Sequence, residues 1–299
     1  MPKINRKDAM NPRVESFHDL DTFTFTHVVY DEDGGHAAII DPVLDFDPAS
    51  ARISTASADR VLDFVRAHRL TVDWVLETHA HADHLTAAAH LKRETGAKVA
   101  IGRGIVQVQA RFKALFGFGP EFVADGSQFD HLFADGDTFP VGKLEARVVA
   151  TPGHTDDSLT YVIGDAAFVG DTMFAPETGT ARTDFPGGDA RKLYQSIQKL
   201  LRLSDDTRLF LCHDYPPASR EPNALSSPEE QAQHNIHVGG QADEATFVKF
   251  RSERDATLAV PKLILPALQV NIRAGELPAP DANGIRYLRL PLNEIGGAK

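Results

Sequence analysis

Apolar residues fall in short bursts along this chain, and each burst stops at a glycine, a proline or a polar turn. The run Val72-Asp73-Trp74-Val75-Leu76-Glu77 reads as a buried strand, as do Thr22 to Tyr30, His36 to Leu44, Lys98 to Gly102 and Leu144 to Ala150. Helical character marks Ala58 to His68, the Ala- and Leu-rich Leu85 to Glu94, and Asp189 to Leu203. Strands alternating with helices predict an α/β architecture. With 299 residues and 42% hydrophobic content the chain is long enough to bury a large core, as one extended domain or one domain with appendages. It has no internal repeat and no apolar run long enough to cross a bilayer.

The residues at the ends of the predicted strands carry the chemistry. Thr78-His79-Ala80-His81-Ala82-Asp83-His84 packs three imidazoles and a carboxylate just beyond the strand that ends near Leu76. His79 and His81, two apart in an extended segment, point the same way. Asp83 and His84 are expected to turn into the following helix and face the other side of a cleft. One buried histidine is an ordinary structural feature, but three at this spacing call for a cation to hold them together. His154 follows in Thr151-Pro152-Gly153-His154-Thr155, Asp171 in Val169-Gly170-Asp171-Thr172, and His213 in Leu209-Phe210-Leu211-Cys212-His213-Asp214. Singly, Asp171 or His213 fits an Asx turn or a satisfied core residue. In the order HxHxDH, H, D, H they predict a metal site on loops at one edge of a scaffold.

The motifs THAHADH, PGHT, GDT and CHD, in that order, resemble the metallo-β-lactamase superfamily. The resemblance runs from about residue 20 to the end of the chain. It implies an αββα sandwich of two mixed β-sheets flanked by helices, with the metal at the sheet edges. It also implies a single domain over residues 1–299, with 1–18 as an extension and 225–299 as a C-terminal elaboration. Within the superfamily, Arg182-Thr183-Asp184-Phe185 and His213-Asp214-Tyr215 are similar to the persulfide dioxygenase branch, ethylmalonic encephalopathy protein-like and of bacterial type. So are Glu229-Glu230-Gln231-Ala232-Gln233-His234-Asn235 and Gln269-Val270-Asn271-Ile272-Arg273-Ala274-Gly275. Glyoxalase II, the nearest hydrolase relative, usually carries a histidine where this chain has Ala80.

That resemblance implies a non-haem Fe(II) dioxygenase, one iron per chain, that oxidises glutathione persulfide or a similar low-molecular-weight persulfide with O2 to sulfite and thiol. His79, His154 and Asp171 would be the iron ligands, and His81, Asp83, His84 and His213 would orient them or hold water. The alternative is a glyoxalase II-like thioester or lactone hydrolase with two Zn(II). There, His79, His81 and His154 take one metal, Asp83, His84 and His213 the other, and Asp171 bridges. Arg182 is a candidate for holding a glutathione carboxylate, although an ion pair with Asp184 fits as well. Tyr215 either donates a hydroxyl toward substrate or packs. Asp214 and Thr183 are expected to support the structure around them.

The formal net charge of −11, with basic residues scattered, argues against a nucleic-acid substrate. Cys212 is the single cysteine, which excludes internal disulfides and suits a reducing compartment. The basic start Met1-Pro2-Lys3-Ile4-Asn5-Arg6-Lys7 lacks an apolar stretch behind it, so no secretory signal is expected. The expectation is therefore a cytoplasmic enzyme with no membrane partner, able to form a homodimer.

Overall fold

The alternation of buried and half-buried positions becomes two stacked sheets wrapped by helices. The computed structural model describes residues 11–295. The first half of the chain runs β1 (Arg13–His18), β2 (Phe25–Tyr30), β3 (His36–Ile40), β4 (Val43–Asp47), β5 (Arg52–Ser54), α1 (Ala56–Ala67), β6 (Thr71–Leu76), β7 (Leu85–Thr86), α2 (Ala88–Thr95), β8 (Lys98–Gly102), α3 (Ile105–Phe116) and β9 (His131–Phe133). The second half continues with β10 (Thr138–Val141), β11 (Leu144–Ala150), β12 (Leu159–Ile163), β13 (Ala166–Phe168), α4 (Ala190–Leu200), β14 (Arg208–Phe210) and β15 (Leu225–Ser226). Helices α5 (Pro228–His234), α6 (Glu244–Asp255) and α7 (Ile264–Asn271) follow.

Among the described residues, one sheet has the order β1-β2-β3-β6-β8-β9 and the other β10-β11-β12-β13-β14-β15, while β5-β4-β7 form a small third sheet. Both large sheets are mixed. β3, β6, β8 and β9 run parallel beside the antiparallel β1 and β2. β14 is parallel to β13 in an otherwise antiparallel second sheet. The architecture is the αββα sandwich that the sequence motifs implied.

The period of two in the strands explains the layers. Val29, Ile40, Leu76 and Ala100 point from the first sheet onto Phe139, Val148, Tyr161 and Phe168 of the second. Their neighbours Val28, Ile39, Val75 and Ile101 point outward, under Leu62 of α1, Leu91 of α2, Phe112 of α3 and Leu268 of α7. On the far side, Ala167, Val169, Leu209 and Leu211 meet Leu193, Ile197 and Leu200 of α4 and Phe247 of α6.

Several boundaries differ from the sequence reading. Leu85 and Thr86 are not helical but pair with β4, and the helix begins only at Ala88. Thr86 fixes this: its N–H donates to Asn271 Oδ1 (2.8 Å), and its hydroxyl accepts from Ala88 N (3.0 Å). The run His36 to Leu44 splits at Asp41-Pro42, where Asp41 takes φ +51° and Pro42 has no N–H to give. The expected extension at residues 1–18 ends before Arg13, because Arg13–His18 pair with Phe25–Tyr30 as an edge strand; residues 1–10 lie outside the described residues. The C-terminal elaboration is not peripheral either. α7 supplies Ile264, Ala267 and Leu268 to the core under the first sheet. Its Asn271 donates to the carbonyls of His81 and His84 (2.8 Å each). Among the described residues, no helix is long and apolar enough to cross a membrane.

Two predictions follow from this packing. His27 of β2 is buried, and that burial brings its pKa down to about 4, against weaker opposing pulls from Asp41 and the Leu211 carbonyl. The unfolded chain therefore binds a proton that the folded chain refuses between about pH 6.5 and 4. Stability is present above 6.5 and is lost as pH falls through that window, by about 3 kcal/mol. In denaturant titrations of His27→Gln, the acid slope should flatten over that range; an unchanged slope would assign the acid sensitivity elsewhere. Asn271→Ala removes a buried amide that serves two carbonyls and one N–H. The expected loss is about 2–4 kcal/mol, read as a lower urea midpoint at constant m-value.

Candidate metal centre

Five strand ends converge on one edge of the sandwich. β3 delivers Asp41, β6 the 79–84 segment, β11 His154, β13 Asp171 and β14 His213. Asp41 pins the start of the motif: its carboxylate accepts from Thr78 N (2.7 Å) and from Thr78 Oγ1 (2.8 Å). Gly170, at φ +52°, lets the Asp171 loop cross the Thr78 side chain, which a Cβ would meet at 2.6 Å. Gly153, at φ +142°, plays the same part for His154, where a Cβ would strike the backbone of Leu193 at 2.2 Å.

These loops bring His79, His154 and Asp171 into one group, their ligand atoms mutually within 4.8 Å and all three residues buried. Asp171 Oδ2 lies 3.9 Å from His79 Nε2 and 3.6 Å from His154 Nε2. The other oxygen, Oδ1, lies 3.2 Å from His213 Nε2, which is also 3.3 Å from Asp83 Oδ2. Burial and the neighbouring His81 hold His79 well below the usual imidazole range, so it is a neutral ligand. Burial works to raise the Asp171 carboxyl, but the imidazoles of His213, His79 and His154 hold it well below the ordinary carboxylate range. His154 Nδ1 donates to the Arg182 carbonyl at 2.7 Å, which turns Nε2 toward Asp171.

A cation fits this set. His79 Nε2, Asp171 Oδ1, His84 Nε2 and both ring nitrogens of His81 are buried without a hydrogen-bond partner. Leaving His79 Nε2 and Asp171 Oδ1 buried and unpartnered is costly, and a bound divalent ion would satisfy both; His81 differs, since the carboxylates of Asp41, Asp83 and Glu77 outweigh its burial and raise it to about 10.

His81 lies beside the three-residue group, its ring 4.0 Å from that of His79, and it shares ligand clusters with Asp83 and His84, with Asp41 and Glu77, and with Cys212 and His213. Its Nε2 approaches Asp41 Oδ1 at 3.0 Å, out of line for a hydrogen bond, and Glu77 Oε2 at 3.7 Å. Asp83 and His84 do not enter the helix as expected; they sit in a bend before β7.

The remaining sequence candidates resolve individually. The Arg182 guanidinium is held by Asp184 (2.6 and 2.7 Å) and donates to the Ala259 carbonyl (2.6 Å), so it is engaged within the protein, and its backbone carbonyl orients His154. Thr183 donates its N–H and hydroxyl to Asp255 (2.8 and 3.1 Å). Asp214 is buried and accepts two hydrogen bonds from Arg220 and one from Asn223 N, which anchors the His213 loop. The Tyr215 ring lies nearly parallel to the His213 imidazole at 5.8 Å. Burial raises the Cys212 thiol well above its ordinary pKa, which leaves it a poor nucleophile.

Sequence reasoning missed Asp41, Thr24 and the role of Asn271. Thr24 Oγ1 is 3.3 Å from Asp83 Oδ2, 3.4 Å from His213 Nδ1 and 3.5 Å from His84 Nδ1, a hub for the second half of the site. Asp41-Pro42 closing an apolar run was a readable signal; a lone threonine gives none.

The metallo-beta-lactamase superfamily model matches residues 21–213. A "beta-lactamase hydrolase-like protein" of Xylella fastidiosa is 52% identical over 295 residues, covering 99% of this chain and 68% of that protein. The human mitochondrial persulfide dioxygenase ETHE1 is 29% identical over 84% of each chain. The crystal structure of ETHE1 from Myxococcus xanthus superposes with a TM-score of 0.70 at 32% identity, over 88% of this chain and all of that one. The chain belongs to the metallo-β-lactamase superfamily and resembles its ETHE1 persulfide dioxygenase branch.

Proposed function

We propose that this protein is a mononuclear iron dioxygenase acting on glutathione persulfide or a similar low-molecular-weight persulfide. The observation that carries the reading is the group of two imidazoles and one carboxylate, His79, His154 and Asp171, whose ligand atoms lie within 4.8 Å of one another. Two histidines and one carboxylate on one face are the donor set of non-haem Fe(II) oxygenases. Bound by those three residues, Fe(II) would supply a redox-active Lewis acid with positions left for a thiolate sulfur and O2. The balance is one persulfide, one O2 and one water in, and one thiol, one sulfite and two protons out; the sulfane sulfur gives four electrons to O2.

The chain's own residues set the conditions. His79, buried and neutral, offers a lone pair, and the Arg182 carbonyl keeps the buried His154 ring turned inward. Asp83, His84 and His213 line the other side of Asp171 and are placed to orient its carboxylate or hold a water. No cysteine is needed as a covalent carrier, which agrees with the buried, protonated Cys212.

A dinuclear zinc hydrolase is the second reading. The splay of Asp171 supports it, since one oxygen faces His79 and His154 while the other faces His213, as a bridging carboxylate would.

Metal analysis with O2 uptake separates the two. Anaerobically prepared protein should contain about one iron per chain and consume O2 with sulfite release on addition of glutathione persulfide. His154→Ala should lose metal and turnover together, and full turnover without iron would reject the mononuclear site. Asp83→Asn is the discriminating variant. It should keep about one iron per chain and lose about 10–100-fold in activity, as expected for a residue that supports a ligand. Loss of half of a two-zinc complement, with no O2 uptake in the parent, would move the assignment to the hydrolase.

A further inference from the structure

His154 reaches the centre from the end of β11, but the group that fixes its ring comes from elsewhere. Its Nδ1 donates at 2.7 Å to the carbonyl of Arg182, which lies in the loop between β13 and α4. A loop carbonyl points in one direction only if the peptide groups around it are held. Here they are held on both sides. Upstream, the Gly179 carbonyl accepts from Asn235 Nδ2 (3.0 Å), Thr180 N donates to His237 Nδ1 (2.9 Å), and the Thr180 carbonyl accepts from Arg251 Nη1 (3.0 Å). Downstream, Thr183 donates its N–H (2.8 Å) and its hydroxyl (3.1 Å) to Asp255 Oδ2. All four partner residues lie beyond residue 213, where the superfamily match ends.

Arg251 and Asp255, one turn apart on α6, are 2% and 3% exposed and joined at 2.6 Å. A buried ion pair adds little net stability, because removing both charges from water offsets their attraction. Apolar side chains of similar size would dock the helix as well, and Phe247 of α6 already does so, buried in one cluster with Leu193 and Ile197 of α4. Among the described residues, every side-chain hydrogen bond that the pair makes outside itself goes to Thr180 or Thr183.

We infer that Arg251 and Asp255 are positioning residues for the metal ligand His154, acting through the Arg182 carbonyl that they bracket. The inference rests on His154 being a ligand, which the iron and the two-zinc readings share. Without this grip the Arg182 peptide turns, the imidazole loses its Nδ1 acceptor, and Nε2 leaves the side of Asp171. Metal affinity then falls while α6 stays docked.

The test is metal binding by the full chain. Arg251→Met combined with Asp255→Leu replaces the pair with apolar side chains of similar length, so neither charge is left buried alone. The double variant should unfold cooperatively near the parent temperature and bind Fe(II) about 10–100-fold more weakly, measured by anaerobic competition with a chromophoric chelator. The Co(II)-loaded form gives a second reading, since its visible bands should shift as the His154 ring reorients. Phe247→Leu is the control. It loosens α6 through its apolar contact, and should lower the melting temperature while keeping the Fe(II) affinity and the Co(II) spectrum of the parent. Parent-like affinity in the double variant, or an equal loss in Phe247→Leu, makes the pair a staple for α6 and overturns the inference. If the double variant does not fold, Arg251→Lys decides. An ammonium keeps the charge but lacks the fork that serves Asp255 and the Thr180 carbonyl together, so affinity should fall about tenfold, and an unchanged value overturns the inference. A parent that binds neither ion rejects the metal centre itself, and the inference with it.

Discussion

The Asp171 carboxylate lies 3.2 Å from the His213 imidazole, 3.6 Å from that of His154 and 3.9 Å from that of His79, and is almost wholly buried. Isolated at that depth, a carboxylate would take up a proton, and the imidazoles would be neutral and unpartnered. Positive charge beside the carboxylate keeps it ionised: His213, raised to about 9 by Asp171 and Asp83 against its burial, and any cation the imidazoles would hold. That requirement explains why each residue arrives from the end of a different strand. The strands are packed rigidly between two apolar layers, so their ends are fixed points, and loops just beyond them hold side chains to a fraction of an ångström.

The layer of residues behind the ligands is as specific as the ligands themselves. Asp41 fastens Thr78 and engages His81, Asn271 ties the carbonyls of His81 and His84 to the last helix, and the Arg182 carbonyl sets the His154 ring. The Arg182 segment is itself held from α6. Arg251 donates to the Thr180 carbonyl (3.0 Å), and its ion-pair partner Asp255 accepts from Thr183 N (2.8 Å). The helices that follow the family core thus act on the centre through two independent backbone connections. Their sequence looked like an elaboration because neither connection involves a ligand.

The legibility of the chain in its sequence divides along the same physical line. The strands were readable because a strand buried on both faces is a near-continuous apolar run, and the residues that gather at the candidate centre stood out because histidines and aspartates at strand ends have few structural uses. Leu85-Thr86 misled because its composition suits a helix, whereas Asn271, 185 residues further on, takes the Thr86 N–H and holds it in a strand. Arg182 was ambiguous for a similar reason: a guanidinium beside Asp184 serves a substrate or the loop equally well until the Ala259 carbonyl is seen to take a third N–H. Thr24 was invisible, since its neighbours Asp83 and His213 lie 59 and 189 residues away.

Charge argues further for one metal over two on the proposed reading. Around one divalent ion, the Asp171 and Asp83 carboxylates and the His213 imidazole, which they raise to about 9, leave a single positive charge, which a persulfide anion cancels. Two divalent ions with Asp83 and Asp171 leave twice that charge, and such a site favours hydroxide and polar, anionic substrates. A buried centre gains most from a bound state with no net charge, because uncompensated charge in a poorly solvated site is costly.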